Sequence, residues 1–365
     1  MKTAFSKVSL LLVVSFVVFS LQNAWASEKI SRKVQKNFPI RSNGQLHINN
    51  QFGNVHVSAW DKKEVGMEIT ITVEGKSKEA MEKRLDNINL IFESQPDRVS
   101  VVTEIEKMNN SWIPFKFKYN DLLKFRIDYR INVPPSVYLD LSNKFGNIEV
   151  DKTHVASKIR CGFGQIDLGE FHGEGHDISL EFCKNSTIDY FENGKIRAEY
   201  SNLELKEAKK LQWRSDFSKV SIQHVDELDY GLDYGRMTVE DIHTVEGSSD
   251  FATIRLGSIH KAAELKADFG SIRIKQLAQT MTNCRLETDF TRVQIGIAPD
   301  SNFSFTIDLE SSGFTTDLAL QYQQKIIDAN EKYYSGSYGN PTEQILSIQA
   351  EHGNVKLLSA NNTSK

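Results

Sequence analysis

Apolar residues in this chain recur at every second position in short bursts, and the parity flips in the middle of each burst. In ELKADFGSIRI (264–274), Leu265, Ala267 and Phe269 alternate with polar residues; after Gly270-Ser271, Ile272 and Ile274 resume the alternation. A period of two is the mark of a strand with one buried face. Each burst therefore reads as two short strands joined by a tight corner, with the aromatic counted in the inward set.

The burst is a repeat. It reads QFGNVHV at 51–57, KFGNIEV at 144–150, GFGQIDL at 162–168, EYSNLEL at 199–205 and DFSKVSI at 216–222. It returns as DYGRMTV at 233–239, DFATIRL at 250–256, DFGSIRI at 268–274, DFTRVQI at 289–295 and EHGNVKL at 351–357. From Tyr200 the aromatics follow one another at spacings of 17, 17, 17, 18 and 21 residues. The position two before the aromatic is small in most units (Cys161, Ala198, Ser215, Ser249, Ala267, Thr288) and Leu232 departs from this. One such unit cannot cover its own apolar face, so neighbours must stack to do it. An antiparallel sandwich of hairpins would favour Asn-Gly or Asp-Gly corners. Gly-Asn, Gly-Gln, Ser-Lys and Ala-Thr stand there instead. The pattern predicts an all-β, single-stranded, right-handed β-helix (β-solenoid) with coils of about 17–22 residues.

Two stretches interrupt the rhythm before residue 143. Residues 76–89 predict a short amphipathic capping helix with Ala80, Met81, Leu85 and Ile88 on one stripe. Residues 107–126 form an aromatic-rich insertion in which Trp112, Phe115, Phe117 and Tyr119 are candidate partner contacts, with Phe125 beyond them. Near the end, 323–343 predicts a polar surface loop, and 360–365 a frayed tail.

The first 26 residues carry Lys2 and Lys7, an apolar run from Val8 to Leu21 and Ala24-Trp25-Ala26. This is the pattern of a cleaved signal peptide, the run being shorter than the ~20 residues a membrane-spanning helix needs. The expected organisation is thus a signal peptide (1–26) and a single solenoid domain (27–365), exported and without a stable membrane span. The formal net charge of −4 becomes −6 once the two lysines leave, which argues against nucleic acid.

Candidate chemistry is sparse. Cys161, Cys183 and Cys284 make an odd set without zinc spacing, read as small buried hydrophobes, with a Cys161–Cys183 bridge open because they lie about one coil apart. Asp216, Asp233, Asp250, Asp268 and Asp289 each precede the repeat aromatic, with Glu199 and Glu351 at the matching position. Such a ladder could take calcium. The structural reading makes each Asp an acceptor for corner amides, screened by Lys219, Arg236, Arg255, Arg273 and Arg292. GxSxG, HExxH and a phosphate-binding glycine loop are missing. Asp167 and Asp189 could stack as a carboxylate pair, with no base evident beside them. His154, His172, His176, His224, His243 and His260 mostly read as solvated turn residues. No enzyme, cofactor or catalytic residue is expected.

NGQLHINNQFGNVHVSAWDKKEV, YRINVPPSVYLDLSNKFGNIEV and AEHGNVKL resemble the "putative adhesin", toast-rack-like β-solenoid family of bacterial envelopes, and the likeness covers most of 37–358. The resemblance implies the fold and carries over no catalytic residue. The expected function is an adhesin-like or structural binding scaffold, periplasmic or surface-exposed, whose partner is an envelope protein or a glycan. The rival readings are an envelope-stress accessory that binds a membrane regulator through 107–126, and a carbohydrate-active β-helix enzyme.

Overall fold

A computed structural model of the chain describes residues 28–106, 123–340 and 343–362. The expected signal peptide and the candidate contacts Trp112, Phe115, Phe117 and Tyr119 lie outside the described residues. Of the expected insertion 107–126, the last three residues belong to the strand Lys124–Val133.

Two walls of parallel strand run along one axis. In the first wall Ile159, Ile178, Ile196, Trp213 and Tyr230 succeed one another in register, one per coil. In the second wall Leu205, Ile222, Val239, Leu256 and Ile274 do the same. All ten are buried, so each coil closes the apolar face of its neighbours, as a solenoid requires. Strands Asn202–Asp216, Lys219–Asp233 and Arg236–Asp250 each cross the second wall, bend and climb the first without a break. Only the aromatic corner interrupts them. Gly247 follows Tyr230 in its column, and a Cβ there would lie 2.3 Å from the ring; the column's largest phenol thus sits against its smallest residue.

The aromatics do not point inward, which corrects the expectation. Phe52, Phe145, Phe163, Phe182, Tyr200, Phe217, Tyr234, Phe251, Phe269, Phe290 and His352 occupy the corner with φ between 43 and 62°. A left-handed residue breaks the alternation, so the ring leaves the inward set and stands at the outer edge. From Phe145 to Phe290 the rings are 43–50% exposed. They stack face to face at 4.9–5.1 Å, continuing onto His352 at 4.6 Å. The same twist turns each corner N–H along the axis onto the next coil: Phe217 N donates to Asp233 O at 3.0 Å, Tyr234 N to Asp250 O at 3.0 Å, and Phe251 N to Asp268 O at 3.1 Å. A bulky residue at positive φ costs on the order of 1–3 kcal/mol. Two stacked neighbours and one inter-coil hydrogen bond offset it.

At each end the chain skips a coil and returns. Gln45–Gln51 lies between Arg98–Ile105 and Tyr138–Lys144, and Ile345–Glu351 lies between Asn283–Asp289 and Phe303–Glu310. Beyond these layers the pairing turns antiparallel. Glu28–Pro39 adds to Glu64–Gly75 at one end and Gln321–Asp328 to Glu331–Tyr338 at the other. The last pair falls largely within 323–343, so that stretch is a hairpin where the sequence suggested a loop. The helix expected over 76–89 is Lys78–Asp86, N-capped by Ser77, with Met81 buried against the first layers. Ile88, counted on its stripe, opens the next strand instead.

Corner strain and corner stacking separate by substitution. Phe251→Ala keeps the strain and loses the stack, for an expected cost of about 2 kcal/mol. Phe251→Gly loses the stack but relieves the strain, for about 1 kcal/mol. Urea denaturation measures both. A loss above 3 kcal/mol for alanine would mean that the ring is buried, and glycine being the worse of the two would mean that the corner carries no left-handed strain.

Candidate functional site

Two longitudinal features share the aromatic corner. The first is the ring stack itself. Its faces are covered by neighbouring rings, and only the edges meet water. The second is the acid row. Glu199, Asp216, Asp233, Asp250, Asp268, Asp289, Glu351 and Glu310 follow in direct register across eight coils. The expected capping of corner amides by carboxylates holds at Asp289, whose Oδ1 accepts from Phe290 N at 2.9 Å. At Asp216 to Asp268 the corner amides go to main-chain carbonyls, because the left-handed turn aims them along the axis. Among the described residues Lys219, Arg236, Arg255, Arg273 and Arg292 form no ion pair with the row. Its charges are left to repel: burial, then Asp216 and Asp250, push the Asp233 carboxyl up. As for calcium, Asp216, Asp233, Asp250 and Asp268 form a line rather than a cage. The described metal-competent side-chain group is Asp289, Glu351 and His352.

On the first wall, near the opposite bend, lies a groove of about 980 Å³. Its outward row runs Lys158, Asp177, Lys195, Gln212, Asp229 and Glu246 through six successive coils, a length of roughly 24 Å at the usual strand spacing. Some members satisfy one another. Lys195 Nζ lies 3.7 Å from Asp177 and Lys210 Nζ 3.0 Å from Glu227, while Gln212 donates to Asp229 at 3.0 Å. Lys158 and Lys261, also on the lining, make no ion pair among the described residues. Sequence reading missed this groove, because its residues lie one per coil and no local motif joins them.

The histidines divide. His176 is buried rather than a solvated turn residue. Its Nδ1 lies 2.9 Å from Ser157 Oγ and its Nε2 3.1 Å from His172 O, so one nitrogen accepts and the other donates on a neutral ring. Burial pushes it down to about 4. His224 and His260 both bond Asp241, at 2.9 and 2.7 Å. Glu149, His56 and Ser58 form an acid–imidazole–hydroxyl chain with contacts of 2.9 and 3.0 Å. Its imidazole and carboxylate line a second concavity of about 680 Å³ and are half-exposed, so water screens the carboxylate.

Asp167 and Asp189 do not stack. The register sets Thr187 against Asp167 and Ile188 against Leu168, which leaves Asp189 two residues beyond the partner of Asp167. Thr187 donates to Asp167 at 2.7 Å, and Lys206 pairs with Asp189 at 2.7 Å. The three cysteines are free and buried. Cys183 Sγ donates to Cys161 O at 3.2 Å, and the neighbouring thiol with burial pushes Cys161 up.

No protein-family model matches the chain, and no curated protein matches it. Solved structures do. A "putative cell adhesion protein" of Clostridium sporogenes is 10% identical over 90% of this chain and 100% of its own, with a TM-score of 0.20. A "putative adhesin" of Parabacteroides distasonis is 10% identical over 90% and 97%, at 0.32. A "putative adhesin" of Parabacteroides merdae is 10% identical over 89% and 96%, at 0.34. Among the described residues no helix is long and apolar enough to cross a membrane.

Acid should act on the fold through two opposed groups. His176 has a folded value below its ordinary one, so its contribution is complete above pH ~6.5 and is lost as pH falls toward 4, by about 3 kcal/mol. Asp233 is shifted upward, so the cost of its burial and of its repulsion by Asp216 and Asp250 is relieved as pH falls through its folded value. In urea denaturation at pH 7, 5.5 and 4, His176→Gln should flatten the loss between 6.5 and 4. An unchanged slope would show that His176 takes up its proton as freely folded as unfolded.

Proposed function

We propose that this chain is an exported, non-enzymatic binding scaffold of the cell envelope, adhesin-like in architecture, whose groove holds an extended polar glycan. The groove carries the reading. It runs straight along the axis through six coils, and its ammonium, carboxylate and amide groups repeat at the strand spacing. A chain of hydroxyl-rich units needs donors and acceptors in such a series, and a rigid row spares the entropy of ordering them on binding. Lys158 and Lys261 are cations left available to acidic sugar substituents. The ring stack is the poorer surface for sugar, since its faces are already covered and only edges remain.

Export is the expectation from residues 1–26, and the envelope assignment follows from it together with the family resemblance. Absence of catalysis is part of the same proposal: the Glu149–His56–Ser58 chain sits away from the groove lining, on the second wall.

A panel of neutral and acidic polysaccharides, titrated calorimetrically against the mature chain, tests the reading. Binding to at least one is expected, with Lys158→Glu combined with Lys195→Glu weakening it tenfold or more while the melting temperature stays put. Failure to bind any member, or equal binding by the double variant, would remove the groove from consideration. Release of oligosaccharides during incubation would overturn the non-enzymatic reading.

A further inference from the structure

The ring stack contains one residue that is neither Phe nor Tyr at its end toward the last coils: His352. Its imidazole lies flat on Phe290, centroids 4.6 Å apart and planes 5° from parallel. Its backbone holds the left-handed corner conformation at φ 48°, and its N–H is fixed to Glu310 O at 3.0 Å. The ring therefore has a fixed plane and a fixed edge. That edge faces the acid row where Asp289 and Glu351 stand in direct register on adjacent coils. One donor atom from each of Asp289, Glu351 and His352 lies within 4.8 Å of the others. Glu310 is the next member of the row, opposite Glu351.

We propose that Asp289, Glu351 and His352 bind one divalent transition-metal ion of borderline character, zinc being the type, and that the ion staples the returning coil to the body of the solenoid. Three arguments converge. The donor set is one imidazole and two carboxylates, which suits a borderline ion better than calcium, with its demand for six to eight oxygens. The His352 Nδ1 to Asp289 Oδ1 distance is 3.3 Å, long for a charge-assisted hydrogen bond. Two donors each at about 2.0–2.1 Å from a tetrahedral ion stand about 3.3 Å apart, so these atoms need little rearrangement to share one. Finally, Asp289, Glu351 and Glu310 make no Lys or Arg ion pair among the described residues, so two carboxylates face the imidazole and a third stands next to them in the row. A divalent charge would relieve that repulsion.

The position gives the site a role. Residue 289 ends one coil and 351 ends the next in space, yet the whole excursion through Phe303–Glu310 and the terminal hairpin lies between them in sequence. An ion held by both would close that long loop. This inference stands apart from the groove and does not depend on what the groove binds.

The test is calorimetric titration of the tag-free mature chain with zinc chloride in a non-coordinating buffer, paired with thermal melts. One ion per chain with a micromolar or tighter Kd is expected, along with a rise of several degrees in Tm. The decisive variant is His352→Phe, which installs the residue that the rest of the stack uses and so preserves the fold. It should melt cooperatively without zinc, weaken binding at least tenfold and lose the zinc-dependent rise. Glu351→Gln should weaken binding as well. Absence of saturable zinc binding, or a Kd and melting response unchanged in a folded His352→Phe chain, would overturn the proposal. A stabilisation by calcium that persists in His352→Phe would overturn it too, since the imidazole would then have no part in holding the ion.

Discussion

The architecture depends on a corner that sends the backbone N–H along the axis instead of across the coil. In an ordinary parallel β-structure the strand ends release amides to water or side chains. Here the aromatic corner residue adopts a left-handed conformation, and its amide reaches the carbonyl of the next coil from Phe145 through His352. Glycine would take that conformation most cheaply. Aromatic residues take it because coil spacing and ring spacing agree: at 4.9–5.1 Å per coil, rings in the same position must touch their neighbours. Strain local to one residue is thus offset by contacts that exist only when the coils are assembled, which makes the corner a cooperative element rather than a turn that forms by itself.

The corner fixes register, and register makes the surfaces. Once Asp216 stands opposite Asp233 and Lys195 opposite Gln212, everything on the outside of a wall becomes a row. Rows of like charge follow, such as the acids that add to burial in pushing Asp233 up. So do rows of mixed charge, such as the groove with its Lys–Asp and Lys–Glu pairs. Both the groove and the Asp289–Glu351–His352 cluster are consequences of a straight axis. The ends are handled differently: the chain overshoots, caps itself with antiparallel layers and comes back, so that Glu28–Pro39, Ile88–Gln95 and Gln321–Asp328 are among the strands paired on one side only. The basic residues Lys29 and Lys33 of the first edge are paired to Glu74 and Glu68 of the strand beneath, and charge on an edge strand discourages further pairing.

Much of the fold was legible because period-two alternation and a 17-residue recurrence both survive in the sequence. What hydrophobicity could not disclose was direction. Phe251 reads as inward by its chemistry, and nothing local announces a positive φ carried by a phenylalanine. The same blindness hid Asp167 and Asp189: the motif aligns them, but the ladder sets Thr187, two residues before Asp189, against Asp167. The hairpin at Gln321–Asp328 escaped because that strand is exposed along its whole length, so no alternation marks it. For the sites, the acid row was visible as a repeat, whereas the groove was not, since its lysines recur at irregular sequence intervals and meet only through register. His352 stood in the aromatic position all along, and its meaning depended on knowing that the position faces outward beside the acids.

Amide hydrogen exchange, resolved to single residues, tests the corner most directly. If the left-handed residues hand their N–H groups to the next coil, the amides of Phe217, Tyr234 and Phe251 should exchange as slowly as those of the buried column residues Ile222 and Val239, with protection falling only toward the ends. Rapid exchange at those three positions, with the columns still protected, would mean that the corners are independent surface turns and that the coils are joined by their apolar columns alone.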